Sequence, residues 1–125
     1  MIPSFMLRQL YEKGSLMNQK DEQGNTVGFA FAVVNRIDPG SFRGNIILSV
    51  DGEEIPPEKL PMKKGDIALK GDEIPHRTVG FAIGEKIIFC VQKQGGLKPG
   101  HHKMIFTSRS IDFGQVKFDF EDDVT

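Results

Sequence analysis

The chain of 125 residues has no tryptophan, one tyrosine, one cysteine and no excess of charge of either sign. The lone Cys90 excludes an intramolecular disulfide. No apolar run approaches the roughly 20 residues that a bilayer crossing takes, and the opening MIPSFMLRQLYEKG lacks the basic stretch and apolar core of a secretory signal. A cytoplasmic protein with no membrane role is expected. Sixteen Lys and Arg stand against 17 Asp and Glu, a net charge of −1, which removes a broad electrostatic reason to bind nucleic acid. Also missing are a Gly-x-Gly-x-x-Gly fingerprint, a P-loop, a Cys-x-x-Cys pair and a Gly-x-Ser-x-Gly elbow. No catalytic residue, metal or cofactor is therefore expected. With no repeat and no linker, residues 1–125 read as one domain.

What is present is punctuation. Fourteen glycines and seven prolines separate short β-branched and aromatic runs, and no helical periodicity persists beyond about two turns. Strands are expected at 26–35 (TVGFAFAVVN), 45–50 (NIILSV), 85–93 (EKIIFCVQK), 101–110 (HHKMIFTSRS) and 114–120 (GQVKFDF). Asp51-Gly52 marks a hairpin. The segment 5–20 is read as imperfectly alternating strands, with a short helix at 5–12 as the alternative. RIDPGSFRG is read as a loop, 66–70 as a short strand, and 71–84 as containing a surface loop. About seven to nine short strands with regular turn signals predict an all-β fold, an antiparallel β-sandwich of immunoglobulin-like type.

Two strands are apolar on both faces. Phe29, Phe31 and Val33 oppose Ala30, Ala32 and Val34, and Ile87, Phe89 and Val91 oppose Ile88 and Cys90. Either the chain folds over the second face, or Ala30, Ala32, Val34, Ile88 and Cys90 form an interface with a second copy or a larger subunit.

His101 and His102 are adjacent, and on a strand adjacent side chains point to opposite faces, so the pair is ill placed to share a metal. The lead-in Leu97 to Gly100 is similar to a sheet-crossing corner, where a polar aromatic near the strand start bonds back to the backbone. His76 and Arg77, between Pro75 and Gly80, could present a base and an anion clamp on a loop; with His102 they form the candidate ligand set. Glu53, Glu54 and Glu58 read as turn and surface residues, and Cys90 as a packing residue.

The stretches VDGEEIPPEKL (50–60) and FAIGEKIIFCVQKQGGLKPGHHKMIF (81–106) together resemble the β subunit of C-glycoside deglycosidases and related small domains. The matching residues are Val50, Asp51, Gly52, Ile55 and Pro56, then Gly84, Glu85 and Lys86, then Gly95, Gly96, Leu97, Pro99, Gly100 and His102. The resemblance implies a small β-sandwich attached to a larger barrel-type catalytic subunit that carries the divalent metal and the acid-base residues. The opening MIPSFMLRQLYEKGSLMN is also similar to the start of short prokaryotic chains described as hydroxymethylglutaryl-CoA reductase. That relationship is disfavoured, because a reductase would demand a much longer chain with a dinucleotide site.

The function expected is therefore a non-catalytic accessory subunit of a carbohydrate-active complex. The alternative is a stand-alone homo-oligomeric domain taking a sugar or anion near the 71–80 loop. A third reading, an acid-base site on His76, Arg77 and His102, requires those positions to converge.

Overall fold

A computed structural model describes residues 2–43 and 46–125. Eleven strands form among the described residues: β1 (Met17–Lys20), β2 (Thr26–Val34), β3 (Gly40–Arg43), β4 (Ile47–Val50), β5 (Glu53–Ile55), β6 (Met62–Lys64), β7 (Ile67–Leu69), β8 (Thr78–Phe81), β9 (Lys86–Gln92), β10 (Gly100–Ser110) and β11 (Gly114–Val124). They make two antiparallel sheets. The first runs β1-β2-β9-β6-β7; the second runs β5-β4-β10-β3-β8, with β11 on the other edge of β10. The expected all-β sandwich is what forms, and no described helix is long and apolar enough to cross a membrane.

The strand count exceeds the expected seven to nine because two segments read as loops are recruited into the second sheet. RIDPGSFRG contains β3, and 71–84 holds a 3₁₀ turn at Ile74–His76 followed by β8. β3 and β8 pair with each other, and Phe42 pairs with Ser110 of β10. Such long-range ladders follow from where the chain returns in space, which a local pattern does not encode. The expected strand at 45–50 begins on Asn45, outside the described residues. The strand reading of 5–20 is corrected. A short helix α1 (Ser4–Leu7) and a 3₁₀ turn at Arg8–Leu10 come first, then a single bridge from Tyr11 to Val33, and β1 is the one strand of the segment. Leu7 and Leu10, three apart, lie on one helical face and pack on the core.

Alternation sets the inner faces. Phe29, Phe31 and Val33 of β2 meet Phe89 and Val91 of β9 on one side and Met104, Phe106, Phe118 and Phe120 of β10 and β11 on the other. Phe31 joins the sheets directly. Its ring centroid is 5.2 Å from Phe89 in its own sheet, 6.5 Å from Phe106 and 5.3 Å from Phe120 across the gap. Tyr11 stacks on Phe120 at 4.0 Å, which carries the N-terminal segment onto the same cluster.

Phe31 is 1% exposed, so Phe31→Ala removes its contacts to both sheets at once. The expected loss is about 3–5 kcal/mol, read as a lower urea midpoint with a nearly unchanged slope.

Candidate functional site

His102 is the third residue of β10, on its inward face, and is 8% exposed. Its Nδ1 lies 2.6 Å from Asp51 Oδ2 and its Nε2 lies 2.6 Å from the Lys98 carbonyl. A carboxylate and a carbonyl can only accept, so both ring nitrogens must donate and the ring is held as an imidazolium. The Lys98 carbonyl foremost, and then Asp51, raise its pKa above the ordinary 6.5 against the opposing effect of burial. A doubly donating ring has no lone pair to offer a metal or a proton. The bond to Lys98 is the corner contact anticipated from Leu97 to Gly100.

Asp51 is placed by the hairpin turn between β4 and β5. Its φ is 50° and that of Gly52 is 87°, the doubly left-handed geometry of a two-residue type I′ turn. From there the carboxylate also accepts the Lys103 N–H at 2.9 Å, while the Asp51 N–H donates to the Lys103 carbonyl at 2.8 Å. The Lys103 N–H first, and then His102, hold the Asp51 pKa below its usual value. His101, on the other face of β10, is exposed and reaches Asp123 at 3.0 Å, which raises its pKa.

His76 and Arg77 do not join His102. Both are exposed, at the end of the 3₁₀ turn that leads into β8. His102 lies eight residues (110 − 102) before Ser110, where β10 meets β3, or roughly 26 Å along the strand. The acid-base reading of His76, Arg77 and His102 thus lacks its required convergence. Glu53 and Glu54 are exposed on successive positions of β5. Among the described residues no group of three or more His, Cys, Asp or Glu side chains could hold a metal ion.

The five interface candidates do share a face. In register, Met17, Ala30 and Cys90 form one row across β1, β2 and β9, and Ala32 and Ile88 the next, with Val34 opposite Lys86. Ala30 and Ala32 are each 5% exposed, but Met17 is 55% and Ile88 38% exposed. The N-terminal segment borders this face at its edge: the Ala32 N–H donates to Ser15 Oγ, and the Glu12 N–H donates to the Ala32 carbonyl.

Local reading missed two further features. One is Asp122, which accepts the Tyr11 hydroxyl and the Gly14 N–H, both at 2.7 Å. Burial pushes the Asp122 pKa up, but these donors outweigh it and leave it lowered. The other is a cavity of about 80 Å³ between the sheets, walled by side chains from segments far apart in sequence.

The His102–Asp51 pair makes stability pH-dependent. A pKa raised in the fold contributes fully below 6.5 and is lost as pH rises through the folded value; the lowered Asp51 pKa confines the opposite loss to acid. His102→Asn should therefore cost about 1–2 kcal/mol near pH 5.5, reduced from a fully buried ion pair because Asp51 is half exposed. Urea unfolding of both proteins should show the difference shrinking as the pH is raised above 6.5 and through the folded-state value.

The motifs that suggested a C-glycoside deglycosidase β subunit are accounted for by turns. Asp51 and His102 tie the hairpin to the corner. Glu85 accepts the Ala82 N–H at 2.6 Å. Gly96, at φ 62°, sits where a Cβ would run into the Asn18 side chain that binds Leu97. Turn chemistry of this kind is shared by unrelated sandwiches. The resemblance is overturned by a family model described as "Hydroxymethylglutaryl-CoA reductase, N-terminal domain", which matches residues 6–125. The objection to a reductase relationship falls with it, because it weighed a whole enzyme and the match is to an N-terminal domain. A search of the curated proteins gave no match. With nearly its whole length matched, the chain belongs to the hydroxymethylglutaryl-CoA reductase N-terminal domain family.

Proposed function

We propose that this chain is a non-catalytic β-sandwich module that serves a larger catalytic chain and docks on it through the outer face of β2 and β9. The observation that carries this reading is the pairing of two buried alanines with exposed Met17 and Ile88 on one face. Small residues let another surface approach the backbone, and the flanking side chains supply apolar area. Charge lies at the margin: Lys63 is in register with Ile88, and Lys86 pairs with Glu12 at 3.0 Å. An apolar centre with a charged rim is the usual anatomy of a protein interface.

The family description supports the class of partner, since a domain named as N-terminal in a reductase stands beside the part that performs the reduction. The structural commitment of His102 supports placing acid-base chemistry on that partner. The alternative, a self-assembling domain that binds a sugar or anion at 71–80, finds less support, because His76 and Arg77 stand exposed at the end of a 3₁₀ turn, away from His102.

The test is Ala32→Glu, which sets a carboxylate in the middle of the apolar rows. Tagged wild-type protein from its native host should come out with a stoichiometric larger chain. The variant, with its thermal midpoint checked, should hold that chain at least about tenfold more weakly. An assembly unchanged by Ala32→Glu would remove the docking face, and wild type recovered as copies of itself alone would favour self-association.

A further inference from the structure

The inner faces interdigitate closely around Phe31 but part at the end of the sandwich where β10 turns into β11. There the cavity lies against Phe89 and Phe106, with Phe42 and Phe113 towards its rim. Packed interiors leave few voids larger than a water molecule, and this one measures about 80 Å³. It arises where large side chains give way to small ones: after Phe106, the inward positions of β10 are Ser108 and Ser110, and Gly40 and Ser41 of the neighbouring β3 also line the space. Gly40 also preserves the rim, since a Cβ there would stand 3.2 Å from the Phe113 ring.

Two of the polar side chains in the wall, Asn35 and Ser110, are bonded to backbone groups. The Asn35 side chain donates to the carbonyls of Asp38 and Phe81 and accepts the N–H groups of Ile37 and Asp38. The Ser110 hydroxyl accepts the N–H groups of Asp112 and Phe113. Ordered water needs two to four polar partners, and walls of this kind present mostly carbon. Asp38 is the one charged residue lining the space among the described residues. A lining whose one charged residue is acidic disfavours a carboxylate or phosphate ligand.

We propose that this cavity is a binding site for one small uncharged aliphatic group, such as the end of a short alcohol. The volume is about half that of an engineered cavity of ~150 Å³ that holds benzene, and it fits a chain of roughly three to four carbons. Ile2, Leu7 and Leu10 of the N-terminal segment form one wall. That wall is tied down from outside by the exposed Arg8–Asp119 pair at 2.8 Å and by Arg36 donating to the Gln9 carbonyl at 2.6 Å. The site is separate from the outer face of β2 and β9 and does not depend on what docks there.

The test is an amide NMR titration of the full chain with 1-butanol, and with butyrate as the charged analogue of similar size. The expected result is saturable shifts at Phe89, Phe106, Ser108 and Val116 with 1-butanol, and affinity at least tenfold weaker for butyrate. Ser108→Leu should fill the space, raise the melting temperature and abolish the saturable shifts. Ser108→Val is the smaller filler if leucine does not fold, and should weaken binding severalfold. No saturable shift in the wild type, shifts as large at Met17 and Ile88 on the outer face, butyrate bound as tightly as 1-butanol, or a folded filled variant that binds like wild type would each overturn the assignment.

Discussion

Two sheets form a sandwich only where side chains from both inner faces interdigitate, and here that contact is a cluster of phenylalanines. Phe31 and Phe89 from the first sheet meet Phe106, Phe118 and Phe120 from the second. Offset and tilted ring pairs add to the apolar burial that each ring provides. Because Phe31 touches both sheets, it fixes their separation. Everything else follows: the N-terminal segment docks where Tyr11 stacks on Phe120, and the inner faces part where aromatics yield to serine and glycine.

The polar features act as ties around that core. Asp51 and His102 clamp the β4–β5 hairpin to the start of β10, and Asp122 gathers the Tyr11 hydroxyl and the Gly14 N–H at β11. Asn35 does the same for the loop before β3. Each joins segments distant in sequence by bonds to otherwise unpaired backbone or side-chain groups, which is how a loop-rich sandwich satisfies its buried polar atoms. A histidine held between two acceptors is a structural cation, and that explains why adjacent histidines can look chemical and yet be architectural. The same economy of turns explains how a chain of the reductase N-terminal domain family can carry motifs that suggest another family.

The sandwich and most of its strands were legible in the sequence, because period-two alternation and glycine or Asp-Gly turns are local signals. QVKFDFE is the clearest example, with Val116, Phe118 and Phe120 turned inward. The doubly apolar strands 26–34 and 86–92 were legible too, and their pairing puts Ala30, Ala32, Val34, Ile88 and Cys90 on one face. Less legible were β3 and β8, each four residues long; strands that short carry little pattern, and their pairing partners form them.

Alternation thus determined by itself which residues face inward, and turn chemistry determined where the chain reverses, because both depend on the geometry of a few neighbouring residues. Tertiary structure alone decided that His102 is a doubly hydrogen-bonded cation, that His76 and Arg77 stand apart from it, and that a cavity opens beside Ser108. Each of these rests on groups dozens of residues apart: Asp51 lies 51 positions from His102, and the cavity wall draws on Ile2 and Phe118 alike. Such meetings are set by how the sheets stack and how far each strand slides, and no local window of sequence contains that information.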